Sequence, residues 1–207
     1  MRIWQIGVKF RCMNRIAKLP EYISNRIAAG EVVERPASIV KEIVENALDA
    51  GSNNISVSVR DGGIESIEIS DDGFGMTLDD MLLAIQRHTT SKIATAGDLN
   101  NIITLGFRGE ALPSIASVAR MKIVSRTKHS DIGKYLIIED GVVVDQGDIG
   151  SKEGTTITIS RLFHHIPARK KFLKNAVTEF NHVQKIFTGL ALAHYKVGFS
   201  LKKDDKE

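Results

Sequence analysis

The chain has 207 residues, with 28 Lys and Arg against 25 Asp and Glu, so its formal net charge is +3. At 43% hydrophobic and 26% charged residues the composition is that of a globular protein, which argues against a disordered or membrane-embedded class. A single cysteine, Cys12, excludes an intramolecular disulfide framework and any multi-cysteine metal or redox site. The default compartment is therefore a reducing one, the cytoplasm. A charge of +3 permits nucleic-acid binding without arguing for it. No apolar run approaches the roughly 20 residues that a membrane helix needs.

In chain order, Met1 to Cys12 mixes apolar residues with Arg2, Lys9 and Arg11, and no small-residue cleavage site follows, so it is a poor signal peptide. Residues 1–13 read as a loose extension ahead of a second methionine, Met13, with an edge strand from Ile3 to Phe10 as the alternative. Residues 14–207 read as one domain, without a repeat or linker. Ile23 to Ala29 forms a short helix stopped by Gly30. Pro36 sits where a first-turn proline belongs, ahead of Ile39, Val40, Ile43, Val44, Ala47 and Leu48, an amphipathic helix closed by Gly51. The alternation of Ile55, Val57 and Val59, the turn Asp61-Gly62-Gly63, and Ile67 with Ile69 predict a hairpin. Thr77 with Asp80 makes a capping-box start for a helix through Met81, Leu82 and Ile85.

From His88 to Gly109 the text is polar and Gly-punctuated, with one apolar piece from Leu99 to Leu105. A connection this long inside a compact domain is usually functional or disordered. A short helix from Glu110 to Ala119 follows, then strands over Met121 to Arg126, Lys134 to Ile138 paired across Asp140-Gly141 with Val142 to Val144, and Thr155 to Ser160. Val177, Phe180, Val183, Ile186, Phe187 and Leu190 give a final helix. The fold class is α+β, a two-layer sandwich of a mixed β-sheet with helices on one face.

Several familiar chemistries are missing: there is no P-loop, His-Glu-x-x-His, Gly-x-Ser-x-Gly or Rossmann fingerprint. The His164-His165 pair has no partner at metal-ligand spacing and reads as surface or packing histidines. Three other elements are more informative. Glu42, Asn46 and Asp49 fall at i, i+4 and i+7 on a helix face away from the apolar stripe. Such a face is ordinarily just solvated, but asparagine is a mediocre helix former with little reason to sit mid-helix. A carboxylate and an amide oxygen one turn apart can serve a water and a hard cation such as Mg²⁺. Asp71-Asp72-Gly73-Phe74-Gly75-Met76 is either a Gly-rich turn or an acid whose neighbouring glycines admit a flat ligand. Its carboxylate could accept the amino hydrogens of an adenine ring. Leu105-Gly106-Phe107-Arg108-Gly109-Glu110-Ala111-Leu112 is a glycine loop opening onto a helix, which either only connects or offers backbone N–H groups to phosphates. Ser91 and Lys92 add a hydroxyl and a cation.

Taken in this order, with Gly-Thr-Thr at 154–156, the elements match the ATP-binding (GHKL, or Bergerat) fold shared by gyrase, histidine kinases, a heat-shock chaperone and MutL. The text between them resembles the MutL family of mismatch-repair proteins. The resemblance is carried by the run from Ile27 to Pro36 (IAAGEVVERP), by Lys41 to Gly51 (KEIVENALDAG) and by Arg87 to Lys92 (RHTTSK). Gly106 to Leu112 (GFRGEAL), Pro167 to Leu173 (PARKKFL) and Glu179 to His182 (EFNH) add to it, so that it spans about Ile16 to Ser200. Two departures are Pro113, where a small residue is commoner, and His165, where asparagine is usual.

The resemblance implies ATP and Mg²⁺ as cofactors, with Glu42 as general base and Asn46 as the magnesium ligand. It implies nucleotide contacts from Asp49, Asp71, Gly73, Gly75, Met76 and Thr156, where Asp71 reads the adenine and the glycines leave room for the ring. Residues from about Thr90 to Ala111 would form a lid whose amides wrap the phosphates, with nucleotide contacts from Thr90, Ser91, Lys92 and Leu105 to Leu112. In MutL relatives the cation at the γ-phosphate comes from a lysine in a second domain. The chain therefore reads as the N-terminal ATP-binding piece, without that domain and the C-terminal dimerisation domain. Alone it is expected to be a monomer that binds ATP weakly and hydrolyses it little. The implied role is an ATP-driven switch, a matchmaker between the mismatch-recognition protein MutS and a downstream nuclease and helicase. N-terminal regions of the full-length protein would pair, as homodimer or heterodimer, when ATP is bound. Non-specific DNA contact through Arg161, Arg169, Lys170, Lys171 and Lys174 is weighed against a solvated helix face. The expected location is cytoplasmic and nucleoid-associated, or nuclear in a eukaryote, with no membrane partner. The alternatives are a nucleotide-independent DNA module with a structural ATP site, and another ATPase of the same superfamily.

Overall fold

Pro36 occupies the first turn of helix α1 (Pro36–Asp49), where its missing N–H has no partner to lose. Ile39, Val40, Ile43, Val44 and Ala47 are buried along one side of α1. The chain leaves the helix through Gly51 at φ 71°, a conformation that a Cβ would disfavour. Ser52, buried, then donates its hydroxyl to the Ala47 carbonyl at 2.7 Å and turns the chain into the sheet. This is a computed structural model, and it describes residues 29, 30, 32–92, 104–106, 109–204 and 206. The extension over 1–13, most of the helix expected over 23–29, the apolar piece over 99–103, and Phe107 and Arg108 lie outside the described residues.

Strands β1 (Asn54–Arg60) and β2 (Ser66–Asp71) form the expected hairpin, in the register Ile55↔Asp71, Val57↔Ile69 and Val59↔Ile67. That register puts Val57, Val59, Ile67 and Ile69 on the same buried face. The connection has positive φ at Asp61, Gly62 and Gly63. Helix α2 (Leu78–Ala84) opens with the expected capping box, Thr77 accepting from the Asp80 amide and Asp80 accepting in return. Next come α3 (Ala111–Ala116), β3 (Arg120–Arg126), β4 (Gly133–Glu139), β5 (Val142–Ile149) and β6 (Gly154–Ser160). The chain ends through α4 (Pro167–Lys170), α5 (Ala176–Ala193) and β7 (Gly198–Lys203).

The seven strands lie in the order β5-β4-β3-β6-β2-β1-β7. Every neighbouring pair is antiparallel except β1 with β7, which run parallel, so the sheet is mixed. Buried positions alternate along β1, β3 and β6, and the buried face packs beneath α1 and α5. The core joins the α1 stripe, Ile55, Met121, Ile123, Ile157 and Ile159 of the sheet, and Val183 and Phe187 of α5. Each Val, Ile, Met or Phe side chain among them contributes about 1.5–3 kcal/mol on burial. The result is the expected two-layer α+β sandwich. Among the described residues no helix is long and apolar enough to cross a membrane.

Four elements differ from the sequence expectation. Helix α3 ends at Ala116, not Ala119, and the apolar residues after it are buried as turn and strand entry. Strand β5 runs on to Ile149 as an exposed edge whose polar second half hides its period. The short helix α4 and the strand β7 have no counterpart in the sequence pattern. It is β7, paired with β1 from far along the sequence, that supplies the parallel pair.

Candidate functional site

Because the apolar stripe of α1 faces the sheet, its other face is turned toward the glycine loop. Asn46 Oδ1 accepts from Lys92 Nζ at 2.9 Å. Lys92 Nζ also donates to Asp49 Oδ2 at 2.6 Å, in an ion pair whose side chains are only 19% and 9% exposed. The loop closes on the same carboxylate: the Leu105 amide donates to Asp49 Oδ1 at 3.0 Å and the Gly106 amide to Oδ2 at 3.2 Å. A cation and two backbone N–H groups thus converge on one anion, the geometry of a phosphate cradle, and Asp49 is its occupant. Glu42 pairs with Lys41 Nζ at 3.5 Å, and the same ammonium reaches Glu45 at 3.2 Å. Burial pushes the Lys41 ammonium down, but its hydrogen bond to Glu45 and the two carboxylate charges raise it above its ordinary value.

The rest of the loop is fastened locally. Gly109 has φ 60°, and a Cβ there would stand 2.4 Å from the Thr89 carbonyl oxygen, so this crossing admits only glycine. Glu110 lies 3.5 Å from His88, Thr90 Oγ1 accepts from the Lys92 amide at 3.1 Å, and Ser91 is exposed. Ala111 and Leu112 are half-buried at the start of α3.

The second half of the site is the end of β2. Asp71 Oδ1 accepts from the Gly73 amide at 2.9 Å and from Ser52 Oγ at 3.3 Å. Burial pushes the Asp71 carboxyl above its ordinary value, against hydrogen bonds from Gly73, Thr155 and Ser52 that favour the ion. Asp72 has a different task. It accepts from the amides of Asn53 and Asn54 at 2.7 and 2.8 Å and from Asn54 Nδ2 at 2.8 Å, tying the two strand ends together. Desolvation pushes it up, but the Asn54 side chain and these amides hold Asp72 below the usual carboxylate range. Thr156 Oγ1 lies 2.9 Å from Ser70 Oγ on the paired strand. Ser70, Asp71, Thr155 and Thr156 border a cavity of about 150 Å³ that Ser151 and Glu153 also line.

The glycines are also constrained from within the chain. A Cβ at Gly73 would come within 2.8 Å of Ala50 and Ser52, and one at Gly75 within 2.3 Å of the Arg126 carbonyl oxygen. Their size is required by the chain's own packing. Met76 follows, its amide donating to Ser125 Oγ at 2.8 Å. Ser52 and Ser125 escape sequence reasoning. Both are polar residues buried among apolar ones, and for Ser125 the interrupted alternation Met121, Ile123, Ser125 is the signal that could have found it.

The two halves meet at the exit of α1, since Asp49 and Ser52 flank the segment that holds both. The basic residues are elsewhere: Asp71 pairs with Thr155 at one end of β6, and Arg161 follows the other end. Arg161, Lys170, Lys171 and Lys174 are exposed. Arg169 is half-buried, its guanidinium 5.8 Å from the Phe163 ring centroid and donating to the Val33 carbonyl at 3.4 Å.

Residues 34–166 match the family described as Histidine kinase-, DNA gyrase B-, and HSP90-like ATPase. The DNA mismatch repair protein MutL of Pelobacter propionicus is 50% identical over 193 residues, which cover 93% of this chain and 32% of that protein. MutL of Citrifermentans bemidjiense is 52% identical over 192 residues, 93% of this chain and 30% of that protein. The chain thus spans about a third of the length of the curated relatives it matches. Among solved structures, the Aquifex aeolicus MutL ATPase domain complexed with ADP superimposes with TM-score 0.67 at 29% identity, over 84% of this chain and 62% of that one. The N-terminal domain of a DNA repair protein gives TM-score 0.73 at 30% identity, over 88% and 53%. By sequence and by fold, the chain belongs to the histidine kinase-, DNA gyrase B- and HSP90-like ATPase family, on its MutL branch.

Proposed function

We propose that the chain binds ATP with Mg²⁺ at this site and serves as the ATP-hydrolysing switch of a DNA mismatch-repair protein. The observation that carries the proposal is the convergence of Lys92 Nζ and the Leu105 and Gly106 amides on a single carboxylate, together with the half-buried acceptor Asp71 at the end of β2. The relatives named DNA mismatch repair proteins, and the neighbour complexed with ADP, support it.

In this reading Asp71 accepts from the adenine amino group, with Met76 and Thr156 beside it. The nucleotide's phosphates take the place of the Asp49 carboxylate among Lys92 and the loop amides, with Thr90, Ser91 and the Leu105 to Leu112 segment as the lid. Glu42 orients and deprotonates the attacking water. The Glu42 carboxylate and the Asn46 amide oxygen are hard oxygen donors that fit a hard cation, and Asn46 Oδ1, which accepts from Lys92 in the nucleotide-free chain, would hold the Mg²⁺. The ion would supply charge neutralisation at the phosphates. Turnover is expected to be weak and to need residues beyond this chain, as is pairing of two such regions and engagement of MutS and the downstream enzymes. In this reading the ATP-binding unit is residues 14–207.

Calorimetric titration with ATP and ADP tests the reading. The parent chain should bind both. Asp71→Asn should weaken binding at least about tenfold, because the amide turns a donor toward donors. Glu42→Ala should bind as the parent does, and in the longer protein should abolish hydrolysis. A parent chain that binds no nucleotide, or an Asp71→Asn variant with parental affinity, would overturn the proposal.

A further inference from the structure

The sequence offers His164-His165 no partner, but the fold supplies one. The β4–β5 turn and the turn after β6 meet at the end of the sheet remote from Asp71. Two backbone bonds hold them there: Gly141 N donates to the Ala116 carbonyl at 2.9 Å, and Phe163 N to the Val118 carbonyl at 2.8 Å. Asp140, at φ 52° on its hairpin tip, is thereby brought against both imidazoles.

The three ligand atoms form a compact triangle. His165 Nδ1 lies 2.8 Å from Asp140 Oδ1, His164 Nε2 lies 3.6 Å from the same oxygen, and the two ring nitrogens are 3.4 Å apart. A tetrahedral Zn²⁺ site with bonds of about 2.0–2.1 Å has ligand-to-ligand edges of about 3.3–3.4 Å, and the observed separations scatter around that value. The outer partner of His164 is also in place. Its Nδ1 lies 3.0 Å from the Arg161 carbonyl oxygen, which can only accept. In the neutral ring the proton therefore sits on Nδ1, and the Nε2 lone pair is left toward Asp140. Asp140 and His164 side chains are 44% and 37% exposed and His165 16%, so an ion and a completing water have access from one side.

We propose that Asp140, His164 and His165 form a binding site for a borderline transition-metal ion of the Zn²⁺ type, separate from the nucleotide site on α1. Two imidazoles and one carboxylate select such an ion over Mg²⁺ or Ca²⁺, which prefer all-oxygen sets. On binding, the neutral His165 ring changes tautomer: the proton it donates to Asp140 moves from Nδ1 to Nε2 by way of solvent, and the freed Nδ1 lone pair and the carboxylate both turn to the metal. The ion then staples the β4–β5 turn to the segment that leads into α4.

The test is Zn²⁺ binding to the 207-residue chain. It is measured by competition with a chromophoric chelator and by the visible absorption of Co²⁺ substituted for zinc. One ion per chain is expected, with the Co²⁺ spectrum of a four-coordinate site. Asp140→Asn, which keeps a residue tolerant of positive φ, and His164→Gln should each weaken binding at least about tenfold, the loss typical of a removed ligand or its partner. His129→Gln, exposed in the β3–β4 turn, should leave it unchanged. Circular dichroism establishes that each variant is folded, and His164, being exposed, decides the matter if the Asp140 variant is not. Absence of saturable binding, or binding that ignores both substitutions, would overturn the proposal.

Discussion

Asp49 begins the short connection out of α1 and Asp71, at the end of β2, touches that connection at Ser52, yet the two are held in opposite ways. Asp71 ends a strand inside the sheet, and its partners are the Gly73 amide, the buried Ser52 hydroxyl and the amide of Thr155 on the paired strand β6. Burial there works against its charge. Asp49 ends a helix, and its partners come from the long loop: an ammonium at 2.6 Å and two amides. One end of the site is thus a preformed acceptor that lacks a strong counter-charge. The other is an anion cradle already satisfied by the protein itself. On the proposed reading, a base would meet a preformed acceptor, whereas a phosphate would have to displace a carboxylate from groups that are already paired.

The comparison breaks most visibly at Asp71. Asp71→Asn should lower nucleotide affinity by about 10–100-fold, since a hydrogen bond to a charged acceptor contributes about 1.5–3 kcal/mol. Thermal stability should not fall with it, because a carboxyl held above its ordinary value in the fold gains nothing from being ionised there. The sign of the pH dependence follows. A raised folded value means that the charge is a cost to stability above that value, and that the cost disappears as pH falls below the ordinary carboxylate range. Adenosine binding runs the other way, since the acceptor is lost on protonation. Titrations of adenosine at falling pH should weaken for the parent and stay level for Asp71→Asn; parallel curves would remove Asp71 from the base-binding role.

Asp49→Asn sharpens the other half. Removing the charge leaves Lys92 and two loop amides poorly paired, so the nucleotide-free chain should lose about 1–3 kcal/mol in denaturant unfolding. The preference for ADP over adenosine should widen, because the phosphates no longer compete with a carboxylate. If the ratio stays as in the parent, Asp49 is not the group that phosphate displaces.

What the sequence discloses here is what is local. The hairpin of β1 and β2, the capping box at Thr77 and the proline start of α1 depend on neighbours a few residues apart, and each stands where its pattern put it. Strand β7 depends on β1, far away in the chain, and its Lys202 and Lys203 blur the alternation of Phe199 and Leu201. The end of α3 is illegible for a different reason: Ile115 to Ala119 are all buried, Ser117 at the helix end among them, so no exposed residue marks the change from helix to strand. The same division runs through the site. Glu42, Asn46 and Asp49 share a helix face by periodicity alone, but only the folded loop shows that Asp49 fills the cradle. Similarly, Asp140 becomes a partner of His164 and His165 only once β4, β3 and β6 are in register.

The smallest expected effects separate residues that look alike in sequence, Arg169, Lys170 and Lys171. Arg169 is part of the fold: its guanidinium lies over Phe163, donates to the Val33 carbonyl, and fills the space that a Cβ at Gly30 would need. Arg169→Ala should therefore cost about 1 kcal/mol of stability, since it removes both the packing of the side-chain stem and the stacked cation. Lys170 and Lys171 are exposed, and Lys170→Glu with Lys171→Glu should leave stability within about 0.5 kcal/mol of the parent. If these lysines neutralise DNA phosphates, the double reversal should weaken DNA binding and flatten its dependence on salt, by a log–log slope of about 0.9 for each phosphate no longer neutralised. A salt titration with an unchanged slope would make them a solvated face, and DNA binding would then have to be sought at Arg161 and Lys174. An Arg169→Ala variant as stable as the parent would in turn mean that the guanidinium is held only loosely against Phe163, and would return Arg169 to the exposed group.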